Sequence, residues 1–438
     1  MKRLALIAAL IFGPFPSGVD AQEARARSGE PLQLAVLQRE ARDADARARE
    51  IDLLARQSEL RVRNIEIERL PSVGALGQTQ YQSDVPTAPF SLPNGQPAFA
   101  PPKFTYDASL RVDQRLFDPS VTPRIEMARA DLAESQARVR TSLFALRSEV
   151  NEAFFTAALM QEQIGALSST IDSLEGRLSE TDARVREGAA LPGEAAAIDA
   201  TILQHRQRLD EQRTARSTAL ARLGILTGRS IDADATLALP ELDASASGAR
   251  TALQKLRARP EYEQFDRTRD RAARQQQLAA AADRPQLSAF GRVGYGRPGL
   301  NFINDQPETY GLAGLQLQWK AWTWNTSDRE REALAIQQSI VTAEEQAFTS
   351  GLRRSIEADL AAIDRLQRSL AADDRIVALR EGIDSAAKLR LREGVTTAAD
   401  YLDRNAETLG AQFDRARHRV ELAQARARLL TTLGLEVQ

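Results

Sequence analysis

Apolar residues recur every seven positions through the second quarter of the chain. Val139, Leu146, Ala153, Met160, Leu167 and Leu174 form one row, and Leu143, Val150, Ala157, Ile164, Ile171, Leu178 and Val185 form a second. Two such rows are the a and d positions of a heptad seam, which asks for a coiled-coil partner. The pattern predicts one helix from about Pro123 to Glu187, opened by Thr122-Pro123 because a proline fits the first turn. At 1.5 Å per residue such a rod is roughly 100 Å long, more than a globular domain needs. Phe348, Leu352, Ile356, Ile363, Leu366 and Leu370 repeat the idea less regularly, and Ser327 with Glu330 reads as the capping box of that second long helix.

Elsewhere the period falls to two, the period of a strand with two different faces. Tyr106, Ala108, Leu110 and Val112 alternate with Thr105, Asp107, Ser109, Arg111 and Asp113. Val73, Ala75, Gly77, Thr79 and Tyr81 share a face in an earlier segment, matched later by Leu287, Ala289, Gly291, Val293 and Tyr295. In a fourth segment Leu315, Leu317 and Trp319 alternate with Gln316, Gln318 and Lys320. Tyr310 and Leu312 fall out of phase there, so a bulge near Gly314 is expected. Strands are thus expected over about 72–82, 104–116, 286–296 and 309–321. The joining stretches Ser83–Pro102 and Arg297–Glu308 are rich in Pro, Gly and Asn, as turns and loops are.

The chain is written twice. Arg184-Val185-Arg186-Glu187-Gly188 recurs as Arg390-Leu391-Arg392-Glu393-Gly394, an offset of 206 that also pairs Ala221-Arg222-Leu223 with Ala427-Arg428-Leu429 and Gly228 with Gly434. Pro71, Ala75, Gly77 and Tyr81 match Pro285, Ala289, Gly291 and Tyr295 at an offset of 214. Glycines and prolines in step mark special backbone positions and rarely coincide by accident. The expected organisation is a leader at 1–21, a first repeat at 22–228, a linker at 229–247 and a second repeat at 248–438. Each repeat reads as helix, two strands and a long helical hairpin.

Composition narrows the function classes. Lys2 and Arg3, the apolar Leu4–Phe12 and the small-residue stretch Val19-Asp20-Ala21 read as a secretory signal. That apolar run is too short to span a bilayer, and no other segment does so, so entry into a membrane must be as strands. The 438 residues hold 58 basic and 60 acidic side chains, a balance with no nucleic-acid footprint. Cysteine is absent, which excludes disulfides, thiolate metal sites and a lipidated N-terminal cysteine. Only 5% of residues are aromatic, few for compact cores but enough for thin helical seams. His205 and His418 lie apart, without acidic partners at ligand spacing, and Met127 and Met160 read as coil or seam residues, so no metal or other cofactor is expected. Gly291, Gly294 and Gly296 fall in a strand and not before a helix, so they are no dinucleotide loop. Trp319, Trp322 and Trp324 close the fourth strand and fit an interfacial aromatic belt. No constellation supports an enzyme.

Four strands cannot close a barrel, and lipid does not tolerate an open sheet edge. Three copies would supply twelve strands, an even number within the range of outer-membrane barrels. The same strands could instead be hairpins capping a soluble helical bundle.

In the order of its parts the mature chain resembles the TolC-type outer-membrane efflux proteins. The resemblance rests on the duplicated helix–strand–strand–hairpin order, the Arg-x-Gly with a downstream acid at each hairpin tip, Leu116-Phe117-Asp118 after the second strand, and Arg259-Pro260-Glu261. It implies a mainly α fold with membrane β-structure: a homotrimer whose twelve-stranded β-barrel continues into a twelve-helix periplasmic tunnel. It implies the exit duct of a tripartite efflux pump or type I secretion system in a Gram-negative outer membrane. The partners would be a periplasmic adaptor, an inner-membrane transporter and outer-membrane lipid.

The resemblance also assigns residues. Adaptor docking would fall to Arg186, Glu187, Gly188 and Ala189 at one tip and to Arg392, Glu393, Gly394 and Val395 at the other. Asp400 and Asp403 stand six and nine residues beyond Gly394, where the family places aspartates in the narrow end of its tunnel. Three copies would give a ring of like charge, which needs water or cations to be stable. Glu194 is the acidic counterpart in the first repeat. Where relatives carry a tyrosine and an arginine that close the tunnel, this chain has Leu391 and Thr396, so its closure must differ. Two other exported architectures remain open: a periplasmic adaptor with one coiled-coil hairpin, and a trimeric coiled-coil surface protein with its strands at the C-terminus.

Overall fold

Two helices of 66 and 67 residues carry the heptad rows. The computed structural model describes residues 30–86, 101–242, 257–300 and 306–437. The leader reading, the last part of the expected linker and the middle of both strand-joining stretches lie outside the described residues. The first half holds α1 (Leu34–Ala44), α2 (Arg47–Ile67), β1 (Ser72–Tyr81), β2 (Phe104–Phe117), α3 (Val121–Arg186) and α4 (Pro192–Thr227). The second holds α5 (Pro260–Ala281), β3 (Gln286–Arg297), β4 (Glu308–Gln318), α6 (Thr326–Arg392) and α7 (Ala398–Leu433). The order helix, two strands, helical hairpin therefore occurs twice. No described helix is long and apolar enough to cross a membrane.

The chain divides into two units. One comprises Ala46–Ser142 and Arg257–Gly351 and contains the sheet. Its strands form an antiparallel meander, β1-β2-β3-β4, which leaves β1 and β4 as free edges. The register puts Val73 beside Val112, Gly291 and Ala313, and Ala75 beside Leu110, Val293 and Gly311, so one face is apolar across all four strands. That face is bare: Val73, Val293 and Leu315 are 67–70% exposed. The bulge expected near Gly314 is not there, since β3 and β4 pair without a break from Gln286↔Gln318 to Gly296↔Glu308. The irregularity lies at Arg115/Phe117 of β2 instead. Tyr310 sits on the polar face because its hydroxyl donates to Asp107, which also pairs with Arg292. Gly294 makes the room, as a Cβ there would come within 2.6 Å of the Tyr310 ring. Against the helices of this unit, Tyr262 and Phe265 of α5 meet Phe348 of α6 edge-on at 5.6 and 5.7 Å. Helix α6 begins at Thr326, so Ser327 lies inside the helix and does not cap it.

The other unit comprises Met1–Asp45, Leu143–Leu256 and Leu352–Gln438. Its larger core packs Leu34 and Leu37 of α1 against Phe154 and Phe155 of α3, Leu220 and Leu223 of α4, and Val420 and Ala427 of α7. Inside it Gln38 donates to Asn151 at 2.6 Å, and Asn151 donates to Thr431 at 3.3 Å. The pairing satisfies polar groups that burial would otherwise penalise. A smaller core joins Leu167, Ile171 and Leu174 of α3 with Ile198 and Ile202 of α4 and with Leu391, Tyr401, Leu409 and Phe413. Ile376, Leu379 and Ile383, on the α6 stretch of this unit, remain 45–62% exposed at helical spacing.

Candidate functional site

Each long helix ends in the same backbone device. In α3 the Gly188 N–H donates to the Val185 carbonyl at 3.0 Å and the Ala189 N–H to that of Arg184 at 2.8 Å. In α6 the Gly394 N–H donates to Leu391 at 3.1 Å and the Val395 N–H to Arg390 at 2.9 Å. This is a Schellman cap, whose turning residue must be left-handed. Gly188 and Gly394 both have φ +75°, and each supplies what a side chain would resist. Gly228 and Gly434 end α4 and α7 in the same way, at φ +68° and +76°. The repeat offset of 206 is thus also an offset between four identical backbone turns taken in pairs.

The helices that return from the tips start differently. Leu191 precedes α4 and offers no side-chain cap. Thr397 caps α7 in a full capping box with Asp400. Thr396 and Thr397 hydroxyls donate to the Asp400 carboxylate at 3.1 and 2.8 Å, and these bonds hold it below the usual carboxylate range. Asp400 is therefore a helix-capping residue as well as an exposed carboxylate, and it stays ionised at neutral pH. Glu194 occupies the matching position of α4 and is half-buried. Asp403 is exposed one turn further along α7. Arg186, Glu187, Gly188 and Ala189, and likewise Arg392, Glu393, Gly394 and Val395, are exposed at the two tips, Val395 by 71%.

Arginines tie the two hairpins together. Arg184 of α3 donates to the Leu391 carbonyl of α6 at 2.7 Å and to the Ala189 carbonyl at 3.3 Å. Arg392 of α6 returns the contact to Glu180 of α3 at 3.1 Å. Glu180 also accepts from Arg177 at 2.6 Å, and the buried Arg177 guanidinium lies 5.7 Å from the Tyr401 ring. Arg177, Glu180, Arg184 and Tyr401 were not foreseen from the pattern of the chain, because their partners come from the other repeat. Leu391 is buried and packs in the smaller core, while its carbonyl accepts from Arg184.

The two histidines have ordinary surroundings. His418 has an acidic neighbour far off in sequence, Asp373 of α6, hydrogen-bonded to its Nδ1 at 2.6 Å. His205 is held below the usual histidine range by burial and by Arg208. Among the described residues no group of three His, Cys, Asp or Glu could hold a metal ion.

Residues 66–229 match the outer membrane efflux protein family. A membrane protein from Pseudomonas aeruginosa superimposes with a TM-score of 0.70 at 18% identity, over 92% of this chain and 90% of that one. The outer membrane protein VceC of Vibrio cholerae gives 0.66 at 15% identity, over 92% and 97%. The open state of the MtrE outer membrane channel of Neisseria gonorrhoeae gives 0.66 at 18% identity, over 92% and 89%. Among the curated proteins none matches the chain.

Proposed function

We propose that the chain, which has the fold of outer-membrane channels and matches the outer membrane efflux protein family over residues 66–229, is a TolC-type efflux protein that works as the passive exit duct of a tripartite efflux pump. The observation that carries the reading is the sheet: four strands with two free edges and an apolar face on which Val73, Leu110, Val293 and Leu315 are exposed. Water penalises such a face, and lipid forbids such edges. Pairing β4 of one copy with β1 of the next removes both edges, and three copies close twelve strands into a barrel with the apolar face toward lipid and the polar face inward. The bare row Ile376, Leu379 and Ile383 on α6 fits contact between copies in the same assembly.

In this reading the helices form a periplasmic tunnel below an outer-membrane barrel. Arg186, Glu187, Gly188 and Ala189, with Arg392, Glu393, Gly394 and Val395, present the tips to a periplasmic adaptor. Asp400, Asp403 and Glu194, from three copies, surround the narrow end. An inner-membrane transporter supplies the energy, and no chemical step belongs to this chain. Fractionation of cells should place the protein in the outer membrane, and cross-linking there should give a species of about three protomers. A soluble periplasmic monomer would overturn the proposal.

A further inference from the structure

The two faces of the sheet carry their aromatic rings differently. On the apolar face Tyr81 and Tyr295 stand out, 69% and 48% exposed. On the polar face Phe290 and Tyr310 are half-buried. Each of these two is paired with a glycine on the neighbouring strand: Phe290 of β3 with Gly314 of β4, and Tyr310 of β4 with Gly294 of β3. A Cβ on Gly314 would come within 2.8 Å of the Phe290 ring, as one on Gly294 would come within 2.6 Å of the Tyr310 ring. A ring that close to its partner's backbone lies across the next strand and does not project from the sheet.

Arginines cover the two rings. The Arg111 guanidinium sits over Phe290 at 5.8 Å, and that of Arg292 over Tyr310 at 5.6 Å. A carboxylate of β2 holds each arginine in turn. Asp113 holds Arg111 at 2.9 Å, and Asp107, which also accepts from the Tyr310 hydroxyl, holds Arg292. Glycine, ring and guanidinium thus stack in that order twice on one face. A ring laid on a cross-strand glycine steadies a sheet, and a cation over its face adds to the hold. The stack also removes the freedom of either ring to turn outward.

A passive duct must let its cargo go, and bare aromatic faces would hold apolar cargo. We propose that Gly294 and Gly314 set the bore of the barrel. They give the rings of Tyr310 and Phe290 a place against the wall, where Arg111 and Arg292 present charge to the lumen instead of ring. Three copies repeat the stacks around one passage, so a side chain at Gly314 raises three rings into it. The inference rests on reading this face as the inside of a barrel.

The chain has no cysteine, so one introduced thiol can be followed in the whole protein. Ser288→Cys places it on the same face, one residue pair nearer α5 than Phe290. Intact cells are treated with maleimide–polyethylene glycols of graded size, and labelling is read as a mass shift of the protein. With Gly314→Ala added, the largest reagent that labels should be smaller than without it. Gly314→Ala with Phe290→Ala should restore the original limit. An unchanged limit in Gly314→Ala, or one that stays low once the ring is gone, overturns the proposal. Phe290→Ala alone keeps the glycine and tests the proposal even where Gly314→Ala fails to assemble. A ring lying flat leaves the limit where it was, whereas a wider limit shows that the ring already stands in the lumen and overturns the proposal. A thiol that even a small charged methanethiosulfonate cannot reach places this face away from water, and overturns the barrel reading together with the inference.

Discussion

Thr397 and Asp400 cap α7 reciprocally: the Asp400 N–H donates to Thr397 Oγ1 at 3.2 Å, and that hydroxyl donates to Asp400 Oδ2 at 2.8 Å. The helix start and the charge proposed for the narrow end are therefore one piece of chemistry. Hydrogen bonds from Thr397 and Thr396 lower the Asp400 pKa in the folded state. A lowered carboxylate contributes stability above its unfolded value, near ~3.9, and loses it as pH falls through the folded value. Thermal melting should thus separate the native protein from Asp400→Asn at neutral pH, with the gap closing below about pH 4. Thr397→Ala should cost about 1 kcal/mol at any pH above that range. A pH-independent gap for Asp400→Asn would show that the charge takes no part in the cap.

Asp403 separates the proposed pore role from the capping role. It is exposed one turn beyond Asp400 and takes no part in the box. If both carboxylates face a tunnel lumen, each Asp→Ala change should raise single-channel conductance in planar bilayers and weaken block by multivalent cations. Only Asp400→Ala should also lower the melting temperature. Unchanged conductance in both variants removes them from the pore.

The long helices were legible because a seven-residue period held over many turns admits few other readings, and the register confirms the buried or half-buried seam from Val139 to Val185. The apolar strand face was legible for the same reason at a period of two. What failed were contacts that no local period encodes. Tyr310 looked out of phase, and a bulge was expected; its place on the polar face depends on Asp107 and on room left by Gly294. A capping box was assigned to Ser327 and Glu330, whereas α6 starts at Thr326 and the formed box, with the same spacing, is Thr397 with Asp400. Arg184 finds a backbone carbonyl 207 residues away, so only the fold could reveal it.

Arg184 supplies from α3 a bond that ends on the α6 backbone at Leu391. A hydrogen bond from a charged donor contributes about 1.5–3 kcal/mol where it is partly shielded. Arg184→Ala should therefore raise amide hydrogen exchange in the last turn of α6, around Leu391, more than at the middle of that helix. Exchange in the α1 core should not change. If the last turn of α6 is as protected as before, the two hairpins are held by packing alone.

Asn151 links three helices through Gln38 and Thr431 inside the larger core. Removing it with Asn151→Ala leaves the Gln38 amide buried without its acceptor, at a cost of about 1–3 kcal/mol. Gln38→Leu combined with Asn151→Leu should recover most of that loss, since replacing both partners leaves no orphan. Urea unfolding of the detergent-solubilised protein reads both. A double variant as weak as the single one would show that core shape, not polar pairing, sets the cost.

Gly294 decides whether the polar face of the sheet can hold its Tyr310–Asp107–Arg292 cluster. A Cβ at this position would meet the Tyr310 ring at 2.6 Å and the Ser109 Cβ at 2.8 Å, so the ring cannot stay where it donates to Asp107. Forcing an extra methyl into a filled site costs about 1–3 kcal/mol. The displaced ring also leaves Asp107 with Arg292 and Ser109 alone. Gly294→Ala should therefore lower the yield of heat-resistant oligomer on non-boiled gels, because strands that cannot settle cannot pair between copies. Adding Tyr310→Ser removes the clashing ring and should restore much of that yield, while Tyr310→Ser alone should have a smaller effect. If Gly294→Ala assembles as well as the native chain, the face tolerates repacking. If the second change fails to rescue it, the Ser109 contact is the decisive one.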